Sequence, residues 1–385
     1  MSEENDGGNP PQKQPANAKR RSSKKRSQGR PQDGQRRSAG RSRKSAKKQS
    51  RRPVRLAALD LGTNNCRLLV ANPRGRKFRV VDAFSRIVRL GEGLSRTGVL
   101  SDEAMDRAIE ALKVCAEKIK RRGVTHGRYI ATQACRSAGN GEEFLARVKQ
   151  ETGLEFEIIS TAEEARLAVS GCTDLFDPDV KAGLVFDIGG GSTEISWVVP
   201  KPAESSGRTA NIDHLPRPLE IAAWLSMPIG VVNLSEKWGD REIDAGTYEE
   251  IVESIRREVR DFGDPGGVRP YFDAGAAHFL GTSGTVTSIA GVHLELPRYR
   301  RDLVDGIWLT TEQVRNASER LRKMNFEERS QEPCIGAERA DLVICGCAIL
   351  EALLREWPVS RIRVADRGLR EGILTGLVEN TRKPT

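Results

Sequence analysis

Two short segments of this chain place acidic residues beside glycines and hydroxyl or amide side chains, and each follows an apolar run. The first is Asp60-Leu-Gly-Thr-Asn-Asn65, and the second is Asp187-Ile-Gly-Gly-Gly-Ser-Thr-Glu194. A third glycine turn, Gly281-Thr-Ser-Gly-Thr285, follows further along the chain. Glycine has no Cβ and accepts positive φ, so successive N–H groups of such turns can converge on a phosphate. Three turns of this kind predict a protein that binds phosphates.

The predicted phosphate donors are mainly the backbone N–H groups of the three turns. They are Gly62, Thr63, Asn64, Asn65, Gly189, Gly190, Gly191, Ser192, Thr193, Gly281, Thr282, Ser283 and Gly284. A single glycine turn can be a tight turn with no ligand. Three such turns at strand ends, two of them acidic, are hard to explain without a ligand. Neutral amide donors also suit a repeating polymer, because they bind phosphate without holding the chain in one place.

Two carboxylates flank the second turn, Asp187 at its start and Glu194 at its end. Carboxylates at adjacent strand ends are suitable ligands for a hard divalent cation such as Mg²⁺. The alternatives are an aspartate that caps its own turn and an exposed glutamate on a strand. Asp60 holds the matching place in the first turn, where it either positions the cation or bonds the turn amides. The location at a phosphate-binding turn favours metal binding.

The residues around the turns predict the elements that position them. Apolar runs on both sides of each acidic turn predict that the turn is the tip of a hairpin. Helices are predicted from apolar residues at three- and four-residue spacing. The predicted strands are 55–60, 67–71, 78–84, 128–132, 155–159, 183–188, 194–199, 278–281 and 361–365. The predicted helices are Ser101 to Gly123, 142–151, a short one from Thr161, 246–261, 285–293, 311–324, 340–356 and 369–379.

Strands and helices alternate in this pattern, and the second half of the chain repeats the plan of the first. The segment 200–222, with several Pro and Ser residues and little periodicity, is predicted to be a loop insertion. We therefore expect an α/β protein with two related domains that face each other across a cleft.

Further motifs accompany the three turns: Ala131-Thr-Gln-Ala-Cys-Arg136, Thr161-Ala-Glu-Glu-Ala-Arg-Leu167 and Asp366-Arg-Gly-Leu-Arg-Glu-Gly372. By the order and spacing of these motifs, the chain resembles the exopolyphosphatase and guanosine pentaphosphate phosphohydrolase family. The resemblance implies the fold of actin, the sugar kinases and the chaperone ATPases. It predicts two actin-like (ribonuclease H-like) domains, at residues 54–165 and 166–385. Longer relatives carry an added helical domain of the His-Asp phosphohydrolase type, and this chain has no His-Asp dipeptide.

The resemblance implies that Glu164 activates the attacking water. From the residues alone, Thr161-x-x-Glu164 is instead typical of a capping box, in which the glutamate bonds the backbone N–H of Thr161. Arg136 has two open interpretations, a bidentate contact to phosphate or a surface ion pair.

The basic character of the chain is confined to its first 53 residues. They hold 17 Lys and Arg against 4 Asp and Glu, a net charge of +13, whereas residues 54–385 carry a net charge of −3. This segment has no aromatic residue and almost no aliphatic one, so it is predicted to be a disordered basic tail. It is either a solubilising arm or a binder of polyanions such as RNA or polyphosphate.

A cytoplasmic protein is expected. The tail lacks the apolar segment of a secretory signal, and no stretch approaches the roughly 20 apolar residues of a membrane span. The seven cysteines are odd in number and form no Cys-x-x-Cys pair.

The function expected from the resemblance is release of orthophosphate from inorganic polyphosphate, with Mg²⁺ or another divalent cation as cofactor. Guanosine pentaphosphate is an alternative substrate of the same site. A kinase of the same fold is disfavoured by Glu164. A module that binds polyphosphate or RNA without turnover is the alternative of a different class. The resemblance also suggests a homodimer.

Overall fold

The computed structural model describes residues 53–200, 219–238 and 243–382. The predicted basic tail lies outside these residues, apart from its last position. The strands are β1 Leu56–Leu61, β2 Asn65–Arg74, β3 Lys77–Ile87, β4 His126–Ala131, β5 Glu157–Ile158, β6 Ala182–Ile188, β7 Thr193–Pro200, β8 Leu219–Met227, β9 Ala277–Thr282, β10 Trp308–Thr310 and β11 Arg361–Ala365.

The helices alternate with these strands. They are α1 Leu94–Thr97, α2 Asp102–Arg122, α3 Gln133–Ser137, α4 Gly141–Thr152, α5 Thr161–Cys172, α6 Val231–Trp238, α7 Ala245–Phe262, α8 Arg269–Asp273, α9 Gly284–His293, α10 Arg301–Val304, α11 Thr311–Lys323, α12 Phe326–Gln331, α13 Val343–Glu356 and α14 Leu369–Asn380. A short 3₁₀ helix, Thr173–Leu175, follows α5.

The first domain is built on a five-stranded sheet with the order β3-β2-β1-β4-β5. Strands β1, β2 and β3 form the predicted antiparallel meander, and β1 pairs with β4 in parallel. Apolar side chains of α2 and α4 cover one face of this sheet. Side chains of α5 and α14 cover the other. The first glycine turn is at the tip of the β1–β2 hairpin, as predicted.

The second domain is built on a six-stranded sheet with the order β10-β11-β9-β6-β7-β8. The β6–β7 hairpin carries the second glycine turn, as predicted. Strands β6, β9 and β11 run parallel, so their carboxyl ends meet at one edge, near both the second and third turns. Helices α7, α9, α11 and α13 pack on one face of the sheet. The other face packs against α5 and the 3₁₀ helix.

The two sheets and their covering helices confirm the predicted α/β fold with two domains. The predicted loop 200–222 is wrong at its end, because residues 219–222 form the start of β8; residues 201–218 lie outside the described part. The boundary predicted between residues 165 and 166 falls inside α5, and α14 returns to pack against β1. The division at that boundary stays a prediction.

A close approach between α5 and α14 joins these two helices. A Cβ on Gly171 would lie 1.9 Å from the carbonyl oxygen of Gly368, and a Cβ on Gly372 would lie 2.1 Å from that of Leu167. Larger residues at either glycine would therefore separate the helices. No helix within the described ranges is long and apolar enough to cross a lipid bilayer.

Candidate active site

The first and second glycine turns touch each other. A Cβ on Gly191 would lie 2.7 Å from Thr63 Oγ1, and a Cβ on Gly190 would lie 3.1 Å from the backbone nitrogen of Asn64. Real Cβ atoms rarely approach other atoms so closely, so a side chain at either glycine would push the turns apart. The glycines are therefore needed where the two domains meet.

Not every predicted turn amide is available to a ligand. The N–H of Gly62 donates to the carbonyl of Asn65 at 2.9 Å, and that of Gly189 donates to the carbonyl of Ser192 at 2.8 Å. These two bonds close their own turns, so the predicted phosphate contacts of Gly62 and Gly189 do not fit this conformation. By contrast, the N–H groups of Gly190, Gly191 and Ser192 have no acceptor among residues 53–200, 219–238 and 243–382.

Asp187 and Glu194 lie directly opposite each other in the β6–β7 pair. The Ser226 hydroxyl, from β8, donates to Glu194 Oε1 at 3.0 Å. Burial raises the pKa of Asp187 to about 7, with a further contribution from the negative charge of Glu164. Burial also raises the pKa of Glu194 to about 7, against hydrogen bonds from Ser192 and Ser226 that lower it. The predicted metal ligands are thus two neighbouring carboxylates, one partly buried and one buried.

Asp60 has a different partner. Arg67 lies directly opposite it in the β1–β2 pair, at the position that Glu194 occupies opposite Asp187. Burial raises the pKa of Asp60, and the positive charges of Arg67 and Arg370 lower it. A Cβ on Gly284 would lie 4.0 Å from Arg67 Nη2, so the guanidinium also lies beside the third turn.

Arg67 is a site residue that sequence reasoning missed. The signal was present, because Arg67 follows Asp60 by the same seven positions that separate Glu194 from Asp187. Because the two hairpins have turns of the same length, Arg67 and Glu194 occupy equivalent positions in them.

Glu164 lies in the first turn of α5 and is buried. The cap of this helix is Ser160, whose hydroxyl accepts a hydrogen bond from the N–H of Glu163 at 3.2 Å. The capping box predicted for Thr161 and Glu164 is therefore wrong by one residue, because the chain enters the helix one position earlier. This leaves the Glu164 carboxylate free for a contact outside its own helix.

That contact is Arg136, on α3. Its Nη1 donates to Glu164 Oε2 at 3.1 Å and to the carbonyl of Ile159 at 2.8 Å, and its Nη2 donates to Gln133 Oε1 at 2.6 Å. Of the two interpretations left open by the sequence, an ion pair is present, but it is partly buried rather than on the surface. A contact between Arg136 and phosphate stays a prediction.

Burial raises the pKa of Glu164 to about 8, and the nearby negative charge of Glu194 adds to this effect. Arg136 opposes both through its charge and its hydrogen bond. In its ionised form, a carboxylate with a raised pKa binds a proton more strongly than an exposed glutamate does. The role of Glu164 as the base that activates water stays a prediction.

The third turn lies at the end of β9 and the start of α9. A Cβ on Gly281 would lie 2.3 Å from the Phe186 ring, so this glycine has a packing role inside the sheet. The Thr282 hydroxyl donates to the carbonyl of Arg367 at 2.7 Å. Ser283, at a φ of 138°, caps α9 through the N–H of Val286 at 3.4 Å. Phosphate binding by this turn stays a prediction.

The side chains that could bind a metal ion at this site offer oxygen atoms as ligands. Within the described part of the chain, no three His, Cys, Asp or Glu side chains are grouped so that they could hold one metal ion. Asn64 Oδ1 and Asn65 Oδ1 are buried and lack a hydrogen-bond partner there. Carboxylate and amide oxygens suit Mg²⁺, which keeps several water ligands and needs few from the protein. The residues therefore fit a cation completed by water and substrate oxygens.

The chain is similar to solved structures and to one family model. The model of the Ppx/GppA phosphatase family matches residues 69–381. A Ppx/GppA family member from Aquifex aeolicus is 27% identical, with 86% of this chain and 99% of that one covered and a TM-score of 0.68. An exopolyphosphatase-like protein is also 27% identical, with coverage of 85% and 98% and a TM-score of 0.73.

An exopolyphosphatase from Cytophaga hutchinsonii shares the fold at 22% identity, with coverage of 85% and 98% and a TM-score of 0.73. The family match spans most of the described residues and includes the second and third turns, Arg136 and Glu164. The chain belongs to the Ppx/GppA phosphatase family.

Proposed function

We propose that this protein is an exopolyphosphatase, which hydrolyses the terminal phosphoanhydride bond of inorganic polyphosphate and releases orthophosphate. The observation that carries the proposal is the buried Glu164 carboxylate, held by Arg136 in the same site as the carboxylates of the two acidic turns. Members of the Ppx/GppA family are phosphohydrolases. One 27% identical neighbour is described as exopolyphosphatase-like.

Glu164 is the proposed base. It accepts a proton from water as the water oxygen bonds to the terminal phosphorus. The bridging P–O bond breaks, and the shortened polyphosphate leaves with the bridging oxygen. Arg136 holds the carboxylate in place and favours its ionised form, which is the form that can take the proton.

The N–H groups of Gly190, Gly191 and Ser192 are the proposed donors to the phosphate oxygens. Donors that are fixed before substrate arrives stabilise developing negative charge without reorganisation. Arg67 supplies a positive charge beside the first and third turns. Most of these hydrogen-bond donors are neutral, so they can bind polyphosphate without preventing the polymer from moving through the site.

Asp187 and Glu194 are the proposed direct ligands of a divalent cation, with water and substrate completing its coordination, and Asp60 is proposed to position the cation through its bound water. When bound, a Mg²⁺ ion screens the charges of the phosphates and helps to orient them. The three carboxylates keep their raised pKa values only while no cation is near, because a positive charge favours the ionised form.

Guanosine pentaphosphate presents a terminal phosphoanhydride to the same groups and is the alternative substrate. The experiment that separates the two is phosphate release from long-chain polyphosphate and from guanosine pentaphosphate, with Mg²⁺, at matched concentrations of terminal phosphate. Faster release from polyphosphate supports the proposal. Preference for guanosine pentaphosphate replaces it with the alternative, and release from neither favours a binding module.

A further inference from the structure

Helix α6 holds the carbonyl groups of all three glycines in the second turn. The N–H of Val231 donates to the carbonyl of Gly189 at 3.0 Å, and the N–H of Val232 donates to that of Gly190 at 2.8 Å. The Asn233 side chain donates to the carbonyl of Gly191 at 3.0 Å. The carbonyls of the turn are thus fixed from one side by three consecutive residues, whereas the N–H groups of Gly190, Gly191 and Ser192 have no acceptor in the described part of the chain.

Asn233 is itself fixed at both ends of its amide. Its Nδ2 also donates to the carbonyl of Pro228 at 2.8 Å, and its Oδ1 accepts from the N–H of Gly230 at 2.7 Å. A Cβ on Gly230 would lie 2.3 Å from the carbonyl oxygen of Gly190, so the start of α6 is packed directly on the turn. These contacts leave the second turn little freedom to move without α6.

The other end of α6 contacts the first domain at residues 91–95, a loop that runs into the start of α1. Glu236 Oε1 accepts from the N–H of Gly93 at 2.6 Å, and Oε2 accepts from the Ser95 hydroxyl at 2.8 Å. A cavity of about 780 Å³, lined by residues of this loop and of α6 and α7, lies beside the contact. Two hydrogen bonds to Glu236 therefore join this segment to the helix at the edge of the cavity.

The loop is in turn joined to the first glycine turn. The N–H of Gly91 donates to the carbonyl of Thr63 at 2.9 Å, and Thr63 is the residue that Gly191 touches. A closed circuit results: from Thr63 through the loop to Glu236, along α6 to the second turn, and back to Thr63.

We propose that α6 is a positioning helix for the site, in which Asn233 fixes the second glycine turn and Glu236 ties the same helix to the first domain. The turn amides are then correctly placed only when the two domains are joined. The kinetic consequence rests on the proposed function, whereas the hydrogen-bonded link from Gly93 through α6 to the second turn does not depend on catalysis.

Hydrogen exchange tests the link without any substrate. In Glu236→Ala we expect faster exchange at Gly93, which loses its acceptor, and also at Val231 and Val232, which bond the distant end of α6 to the turn. Faster exchange at Gly93 alone would overturn the proposal. Lys237→Ala is the matched control, because Lys237 is the next exposed charge on the helix and should leave all three amides as they are.

Kinetics test the consequence. We expect Glu236→Ala to lower kcat/KM for polyphosphate by roughly 3- to 10-fold, as for the loss of one or two exposed hydrogen bonds, with an unchanged melting temperature. Glu236→Gln keeps an acceptor for Gly93 and should restore most of the rate. A wild-type kcat/KM in Glu236→Ala would contradict the claim that the contact between Glu236 and the first domain positions the turn amides for catalysis.

Asn233→Asp provides a second test with a side chain of the same shape. It replaces the donor to the Gly191 carbonyl with a repelling oxygen, so we expect a larger fall in kcat/KM, about 10-fold or more, and faster exchange at Val232. Wild-type kinetics and exchange in Asn233→Asp would overturn the role of Asn233. If the wild-type protein releases no phosphate, the proposed function fails, while the exchange result still decides the link.

Discussion

Arg136 donates a hydrogen bond to Glu164, with 3.1 Å between Nη1 and Oε2. The two residues come from different segments, α3 after β4 and the first turn of α5, and they meet because both segments begin at the same edge of the first sheet. Burial and the charge of Glu194 favour the protonated carboxyl, whereas Arg136 favours the ionised one. The balance between them sets the pH at which Glu164 can accept a proton.

Removing the charge of Arg136 should shift the pH dependence of the reaction. In Arg136→Gln the pKa of Glu164 rises, because the opposing positive charge is lost while burial remains. We therefore expect the acidic limb of the kcat/KM profile to move to higher pH. Arg128→Gln is the control, since Arg128 pairs with Glu157 and Glu163 instead. An acidic limb that stays in place in Arg136→Gln would contradict the assignment of the base.

Adding one methyl group to the second turn should separate the two turns. The Cβ of Gly191→Ala would lie 2.7 Å from Thr63 Oγ1. A displacement of about 1 Å at a reacting site can cost up to about 100-fold in rate, so we expect kcat/KM to fall by roughly 10- to 100-fold. Gly376→Ala, in α14, meets no atom within 4 Å and should stabilise its helix by up to about 1 kcal/mol without loss of rate. Equal rates in the two variants would show that the contact is not needed.

The buried carboxylates should make stability depend on pH and on Mg²⁺. Burial raises the pKa of Glu164 to about 8 and those of Asp187 and Glu194 to about 7. Above the ordinary carboxyl range the folded protein thus holds more protons than the unfolded chain, and without cation its stability falls as pH rises toward 8.

A cation that binds the ionised carboxylates should offset this loss. We expect Mg²⁺ to raise the melting temperature more at about pH 8 than at about pH 5.5, measured by calorimetry at constant ionic strength. Glu194→Gln should reduce the difference between the two pH values. The same Mg²⁺ effect at both pH values in the wild type would argue against a site made of these groups.

The hairpin turns could be predicted because their signal is local. An acidic residue and glycines between two apolar runs indicate a strand, a tight turn and a second strand, and both hairpins form there. The partner of Asp60 was missed because it depends on the register of the pairing rather than on the turn. Comparing the two hairpins position by position would have identified Arg67.

The start of α5 shows the limit of a local signal. The Thr161-x-x-Glu164 pattern predicted Thr161 as the cap, but the adjacent Ser160 is an equally common type of helix cap. The structure uses Ser160. The Glu164 carboxylate instead accepts a hydrogen bond from Arg136. Arg136 lies 28 residues earlier in the sequence, so spacing alone could not pair the two residues.

The third turn shows that a glycine can be required either by a bound ligand or by packing against a neighbouring side chain. Gly281 is small because the Phe186 ring packs against it, which is a tertiary contact. A glycine required by a ligand and one required by packing look alike in the sequence. Strand β8 was missed for a different reason: its first residues follow a segment without periodicity, and they were assigned to the predicted loop 200–222.

The most direct test of the proposed chemistry compares two adjacent glutamates on α5. Hydrogen bonds from Arg166 and Arg128 lower the pKa of Glu163 to about 2, so this residue is a poor base, whereas the pKa of Glu164 is raised to about 8. The measurement is the initial rate of orthophosphate release from long-chain polyphosphate, with Mg²⁺, for the wild type, Glu164→Gln and Glu163→Gln. We expect Glu164→Gln to lose roughly 100- to 10,000-fold in rate and Glu163→Gln to stay close to the wild type. Release by Glu164→Gln at the wild-type rate would contradict the proposed role of Glu164.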